Sequence, residues 1–82
     1  MIELYQQLKT VNDEATFLAF VNALAMDRRS NAGRWENSSI EEFLESACAW
    51  AEDSEFGAKQ GLSEASPWSK FATFLYCGKQ YE

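Results

Sequence analysis

The side chains in this sequence that could do chemistry are mainly carboxylates. Four glutamates lie close together in one stretch: Glu41, Glu42, Glu45 and Glu52. Two carboxyl groups can serve as the acid and base of a glycosidase when they flank a substrate cleft. We expect these four on the solvated face of a helix, where no cleft is implied. Their spacing therefore predicts a charged surface and no acid–base catalysis.

Other catalytic groups are missing or few. The chain has no histidine, so Ser-His and Cys-His nucleophile pairs are excluded. No glycine-rich phosphate loop or dinucleotide fingerprint occurs. The two cysteines, Cys48 and Cys77, are too few for a structural zinc site and are expected as small buried apolar residues. We therefore expect neither an enzyme nor a cofactor.

The polar stretch from Asp53 to Glu64 has the length of an EF-hand calcium loop. Asp53, Glu55 and Glu64 would occupy the first, third and twelfth positions. The sixth position, which requires glycine for the turn, is Ala58. No metal-binding set is predicted, but a ligand- or metal-binding role for the 53–64 loop stays open as an alternative.

The element that must position the glutamates is one strongly amphipathic helix. Ser38 or Ser39 is followed three residues later by Glu41 or Glu42, which is the capping-box spacing. This pattern predicts a helix from about Ser39 to Asp53. On a helical wheel the acids share one arc, and the apolar residues share the opposite arc, which is expected to face the core. The apolar arc comprises Ile40, Phe43, Leu44, Ala47, Cys48, Trp50 and Ala51.

A second helix is predicted from Asp13 to about Ser30, with Asn12 as its cap and a break at Gly33. Its apolar stripe consists of Phe17, Phe20, Val21 and Leu24. Residues 1–11 are compatible with a short helix or an edge strand.

A further helix is predicted after Ser66, a good cap, with Pro67 in its first turn. It ends at Gly78 or continues through it, in which case Lys79 pairs with a carboxylate or extends its ammonium to solvent. Its apolar face comprises Trp68, Phe71, Ala72 and Leu75. The sequence thus predicts an all-α fold, a three- to four-helix orthogonal or up-down bundle with an aromatic-rich core, as a single helical domain of residues 1–82.

The charge is negative and uneven. The net charge is −6, and residues 36–64 contain eight acidic residues and one lysine. Such a surface repels phosphate backbones, so no nucleic acid is expected, and it attracts a basic protein partner. No apolar run approaches the roughly 20 residues that span a bilayer, and no signal peptide is recognised. We therefore expect no membrane association and a cytoplasmic location.

Two segments carry a family resemblance. The sequences W-E-N-S-S-I-E-E-F-L-E-S-A-C-A-W at 35–50 and P-W-S-K-F-A-T-F-L-Y-C-G-K-Q-Y-E at 67–82 resemble those of a family of small bacterial domains of unknown function. The matched positions are Trp35, Glu36, Asn37, Phe43, Leu44, Glu45, Trp50, Trp68, Phe71, Ala72, Tyr76, Lys79, Tyr81 and Glu82. The resemblance implies a fold unit and no chemistry. Packing alone would not require Glu36, Asn37 and Lys79, so we expect a polar network that ties the two motifs together, with a ligand contact as the alternative.

The function that these observations favour is a non-catalytic, acidic protein-interaction module of a bacterial cytoplasm. Glu41, Glu42, Glu45 and Glu52 would face a basic partner, and an immunity or antitoxin protein is one specific version. Trp35 is expected to cover the start of the main helix, or to serve as an exposed aromatic anchor. The alternatives are a ligand-binding domain that uses the 53–64 loop and a structural homo-oligomer.

Overall fold

A computed structural model of the protein describes residues 3–81, which form four α-helices and no β-strand. The helices are α1 (Leu4–Leu8), α2 (Glu14–Ser30), α3 (Ile40–Asp53) and α4 (Pro67–Gln80), with 3-10 turns at Ala32–Arg34 and Ala58–Gln60. The predicted all-α bundle is confirmed. The N-terminal segment is helical at α1, while Met1, Ile2 and the motif residue Glu82 lie outside the described residues.

The helix starts follow from their capping residues. Ser39 Oγ accepts the Glu42 backbone N–H at 3.1 Å, and the Glu42 carboxylate accepts the Ser39 N–H at 3.4 Å. This closes one of the two capping boxes that the sequence offers. Ser66 caps α4 by accepting the Ser69 N–H at 3.2 Å, and Pro67 occupies the first turn as predicted.

The predicted cap of α2 is wrong by one residue. Asp13, rather than Asn12, accepts the Thr16 backbone N–H, at 2.8 Å, and Thr16 Oγ1 accepts the Asp13 N–H at 3.0 Å. Thr16 completes the box in place of the glutamate that the usual pattern requires. The hydrogen bond from the Thr16 backbone lowers the pKa of Asp13.

Helix α4 is the central element, because α1, α2 and α3 all pack against it. Near one end of α4, Phe17 of α2 packs on Trp68 with ring centroids 5.5 Å apart. Near the other end, Lys79 of α4 meets Asp27 of α2, so α2 and α4 run parallel. The start of α3 approaches the end of α4, where Phe43 lies against Gly78. Within residues 3–81 the backbones of α2 and α3 do not come into contact.

The core lies where α1, α2 and α4 meet. Its buried residues are Leu8, Val11, Phe20, Leu24 and Ala72. A second aromatic group lies against the 53–64 loop. The Phe56 ring packs between the rings of Trp50 and Phe74, with centroid distances of 5.7 Å and 5.5 Å. The aromatic-rich core expected from the sequence therefore has two parts, one on either side of α4.

The loop after α3 is folded around the Phe56 ring. The buried Ser54 hydroxyl donates to the Trp50 carbonyl at 2.6 Å and accepts the Gly57 N–H at 2.9 Å. Phe56 has a φ of +53°, a left-handed conformation that costs energy for a bulky residue. The packing of its ring on Trp50 and Phe74 offsets that cost.

The apolar arc of α3 is only partly buried, which corrects the sequence prediction. Ala47 and Trp50 are buried, but Ile40 is 70% exposed, Leu44 is 49% exposed and Cys48 is also exposed. The arc is wider than the surface that α4 can cover, and α2 lies too far away to cover the rest. Among the residues described, Ile40 and Leu44 therefore remain an uncovered apolar strip.

Two related expectations also fail. Phe71, predicted on the core face of α4, is about half exposed. Cys48 is an exposed thiol rather than a buried one. Cys77 is half-buried in α4, and burial raises the pKa of its thiol to about 11. Both thiols are free in the structure.

Helix α4 continues through Gly78 to Gln80, and α3 approaches it closely at this glycine. A Cβ atom at Gly78 would lie 2.9 Å from both Cε1 and the carbonyl oxygen of Phe43. Only glycine leaves room for that approach, although alanine is the better helix former by about 1 kcal/mol. This close contact fixes the position of the start of α3 against the end of α4.

We predict that Gly78→Ala destabilises the domain. Crowding against a backbone oxygen should cost about 1–3 kcal/mol and exceed the gain in helix propensity. The control is Gly33→Ala, because a Cβ atom there meets nothing within 4 Å. Urea unfolding followed by tryptophan fluorescence measures both. A Gly78→Ala protein as stable as the Gly33→Ala protein would contradict the close approach.

Candidate functional site

Asp27, near the end of α2, binds three side chains from other parts of the chain. Its Oδ2 atom lies 2.9 Å from Lys79 Nζ and accepts the Trp35 indole N–H at 2.8 Å. Its Oδ1 atom accepts a hydrogen bond from Asn31 Nδ2 at 3.0 Å. The side chains of Lys79 and Asp27 are only 14% and 19% exposed. We call Asp27, Asn31, Trp35 and Lys79 the Asp27 cluster.

The electrostatics of the Asp27 cluster keep its carboxylate ionised. Burial raises the pKa of Asp27, but hydrogen bonds from Lys79, Trp35 and Asn31, together with the Lys79 charge, outweigh it. The net result is a pKa below the ordinary value. Three donors to one partly buried carboxylate form a well-satisfied ion pair, which is the condition for such a pair to be stable.

Asn37 connects the segment before α3 to the end of α4. Its side-chain amide donates to the carbonyls of Gly78 at 3.0 Å and Tyr81 at 3.1 Å. Its backbone N–H donates to the Lys79 carbonyl at 3.2 Å. The last carbonyls of a helix have no partner within the helix. Asn37 supplies donors to this end of α4 from a distant part of the chain.

The structure thus places Asn37 and Lys79, two of the three residues of the expected polar network, beside each other. The third, Glu36, is exposed and makes no hydrogen bond or ion pair within residues 3–81. Sequence reasoning missed Asp27, the centre of the cluster. Its signal was present, because Phe20, Leu24 and Asp27 follow one another on a single face of α2. A carboxylate that continues a buried stripe requires a partner.

Trp35 covers the start of α3. Its ring stacks on Phe43 with centroids 5.9 Å apart, and Lys79 Nζ lies 5.8 Å from the Trp35 ring centroid. The guanidinium of Arg28 lies 5.9 Å from the same centroid and donates to the Ser38 carbonyl at 3.0 Å. The ring is half-buried and its N–H is engaged by Asp27. This is the covering position that the sequence favoured over an exposed anchor.

The four glutamates proposed as a partner surface are all exposed on α3. Glu42 is also engaged in the helix cap through Ser39. Glu41, Glu45 and Glu52 make no ion pair with another described residue, so their charges face solvent. They are brought together as one acidic face on the outer side of α3.

An apolar groove lies between α2 and α3, next to this acidic face. Its volume is about 420 Å³, and Leu75 of α4 lies at its base. We call it the α2–α3 groove. Its lining consists of Val21, Leu24, Ala25, Arg28, Trp35, Asn37, Ser38, Ser39, Ile40, Phe43 and Leu75. The Arg28–Ser38 hydrogen bond closes it at the end where α2 stops and α3 begins.

The carboxylates of the 53–64 loop do not converge on one point. Asp53 accepts the Tyr81 hydroxyl at 2.5 Å, and Glu55 pairs with Lys59 at 3.8 Å across a solvent-exposed turn. The hydrogen bond to Asp53 raises the pKa of Tyr81. In residues 3–81 no group of three His, Cys, Asp or Glu side chains could hold a metal ion.

None of the helices in the described chain is long and apolar enough to cross a bilayer.

Four helices around a two-part aromatic core, closed at one end by the Asp27 cluster and open at the α2–α3 groove, define a small all-α domain. The chain belongs to DUF7660, a family of unknown function, whose family model matches residues 13–82. The match includes both motif segments and confirms the resemblance to a domain family of unknown function. No curated protein and no solved structure shows a significant match to the chain.

We predict that Asp27→Asn destabilises the domain by about 1–3 kcal/mol at neutral pH, because it leaves the Lys79 ammonium without its counter-charge. The control is Glu36→Gln, which removes one carboxylate from an exposed position and should change stability by less than about 0.5 kcal/mol. Chemical unfolding curves measure both variants.

The effect of Asp27→Asn should depend on pH. The folded pKa of Asp27 lies below its unfolded value, so the ion pair stabilises fully above about pH 4. That contribution is lost as pH falls through the folded pKa. The gap in unfolding free energy between the wild type and Asp27→Asn should therefore narrow below about pH 4. An equal gap at neutral and strongly acidic pH would contradict the role of the carboxylate charge.

Proposed function

We propose that the domain is a non-catalytic protein-interaction module of a bacterial cytoplasm, which binds a basic partner through the outer face of α3. The observation that carries this proposal is the acidic face bordered by the exposed apolar residues Ile40 and Leu44. Charge and apolar surface lie side by side on one rigid helix.

The two kinds of residue have different roles in binding. Glu41, Glu45 and Glu52 occupy one sector of α3, and together they attract basic proteins and orient them before contact. Apolar side chains that become buried supply most of the affinity. Ile40 and Leu44 are each followed directly by one of these glutamates, so a single partner surface reaches both.

The pairing, pKa and exposure of the titratable groups support the absence of a catalytic role. Among residues 3–81 Asp27 is the one partly buried carboxylate, and it is paired with Lys79. The half-buried Cys77 has a raised thiol pKa, which disfavours a nucleophilic thiolate. The free carboxylates face solvent on a convex surface, where no substrate would be enclosed.

An immunity or antitoxin protein is one specific form of this function. Such a protein neutralises a basic toxin by covering its cationic surface with carboxylates. Residues 36–64, which include α3, carry eight acidic residues and one lysine. The proposal itself requires only a basic partner and does not depend on that partner being a toxin.

We predict that a triple change, Glu41→Lys, Glu45→Lys and Glu52→Lys, abolishes partner binding and preserves the fold. Glu42 is retained because it caps α3. The control triple change has the same charge difference at exposed residues elsewhere: Glu36→Lys, Glu55→Lys and Glu64→Lys.

The measurement is affinity capture of each tagged protein from its native cells at low salt, followed by mass spectrometry. Wild type and control should retain the same basic proteins, and these should elute as the salt concentration rises. Circular dichroism verifies that each variant is helical. Equal capture by the α3 triple variant and the control would exclude α3 as the binding face.

A further inference from the structure

The α2–α3 groove exists because two helices pack on α4 without reaching each other. Leu75 of α4 forms the base, Val21 and Ala25 of α2 form one wall, and Ile40 and Phe43 of α3 form the other. In a complete bundle, a further helix would fill the space between two such walls.

Three exposed apolar side chains extend the walls and base of this groove. Leu18 precedes Val21 by one turn of α2, and Phe71 precedes Leu75 by one turn of α4. Leu44 follows Ile40 by one turn of α3. Because α2 and α4 are parallel, the steps to Leu18 and Phe71 lead in the same direction. Leu44 prolongs the α3 wall from Ile40. Leu18, Leu44 and Phe71 are each about half exposed.

The extended groove has the dimensions of a helix site. The α2 wall from Leu18 to Arg28 covers ten residue steps, or about 15 Å at the rise of an α-helix. That length accepts roughly three turns, with anchors at i, i+3 or i+4, and i+7. A small molecule would remain wet on one side, because Ile40 in the wall is 70% exposed.

The charges around the groove identify the chemistry of its occupant. Glu41 and Glu45 stand on the outer side of the α3 wall, directly after Ile40 and Leu44. Glu14 lies one turn before Leu18 on the α2 side. Arg28, the one charged residue of the lining, lies at the closed end. The rim is acidic along the open part of the groove and favours lysine or arginine beside an apolar stripe. A second copy of the chain carries the same net charge of −6 and would bring its own acidic rim.

We propose that the α2–α3 groove holds one basic amphipathic helix of a partner protein. The apolar face of that helix packs against Leu75 and Phe71, and its cationic residues lie along the acidic α3 rim. This inference rests on the proposed function and adds the binding mode and the shape of the partner segment.

The test uses the full chain labelled with nitrogen-15 and a synthetic 14-residue peptide of alanine, leucine and lysine. Its leucines are spaced to form one helical stripe. The control peptide has the same composition, with its leucines distributed around the helix. We expect the striped peptide to shift the amide signals of Val21, Ile40 and Leu75 and to bind at least ten-fold more tightly than the control.

Matched variants distinguish binding in the groove from non-specific binding to exposed apolar side chains. Leu18→Gln and Leu44→Gln should each weaken binding of the striped peptide about five-fold. Met26→Gln changes another exposed apolar residue, 62% exposed, on the side of α2 away from the groove. It should leave the affinity unchanged. All three positions are exposed, so none of the variants is expected to unfold the domain.

The other outcomes overturn the inference in distinguishable ways. Equal binding of both peptides, with shifts limited to the acidic face, would exclude the groove and leave the proposed acidic surface intact. No binding of either peptide would also exclude it, and the capture experiment would still decide the proposed function. A dimer in analytical ultracentrifugation, with groove shifts that depend on protein concentration alone, would assign the groove to a second copy.

Discussion

The ion pair between Asp27 and Lys79 fixes how the three longer helices are arranged. It joins the last turns of α2 and α4, and the Trp35 indole that donates to the same carboxylate carries its ring onto Phe43 of α3. A partly buried charge without a partner would cost about 1–3 kcal/mol, so a slip of α2 along α4 is opposed. Asn37 adds neutral hydrogen bonds to the end of α4, so this end of the bundle is tied by side chains from three segments.

The open groove is a consequence of this closed end. Gly78 lets α3 approach α4 closely, and the Asp27 cluster holds α2 against a neighbouring face of α4. Both helices are therefore fixed on α4 at a separation that keeps their outer apolar residues apart. With 82 residues, the chain has no further long helix among those described to fill the gap. A small domain buries a limited share of its surface. Here the apolar surface that stays exposed is concentrated along the α2–α3 groove.

The sequence predicted what depends on neighbouring residues and missed what depends on distant ones. The Ser39–Glu42 box and the Ser66–Pro67 start are local signals, and α3 and α4 begin where those signals lie. The burial of Ile40, Leu44 and Phe71 was predicted wrongly, because helical periodicity gives the width of an apolar arc but does not say how much of it a neighbour covers. Asp27 was missed for the same reason, since its partners Trp35 and Lys79 are separated from it by 8 and 52 positions in the chain.

The acidic rim counteracts the self-association that the uncovered apolar strip would promote. Exposed leucine and isoleucine side chains in a line promote self-association, and a domain without charge around them would tend to pair with its own copies. Glutamates beside that line repel an identical molecule, whereas they attract a cationic one. The same residues that keep two copies apart therefore select a basic partner. This double effect requires the charges and the apolar strip to be adjacent, and α3 places them on consecutive residues, Ile40 with Glu41 and Leu44 with Glu45.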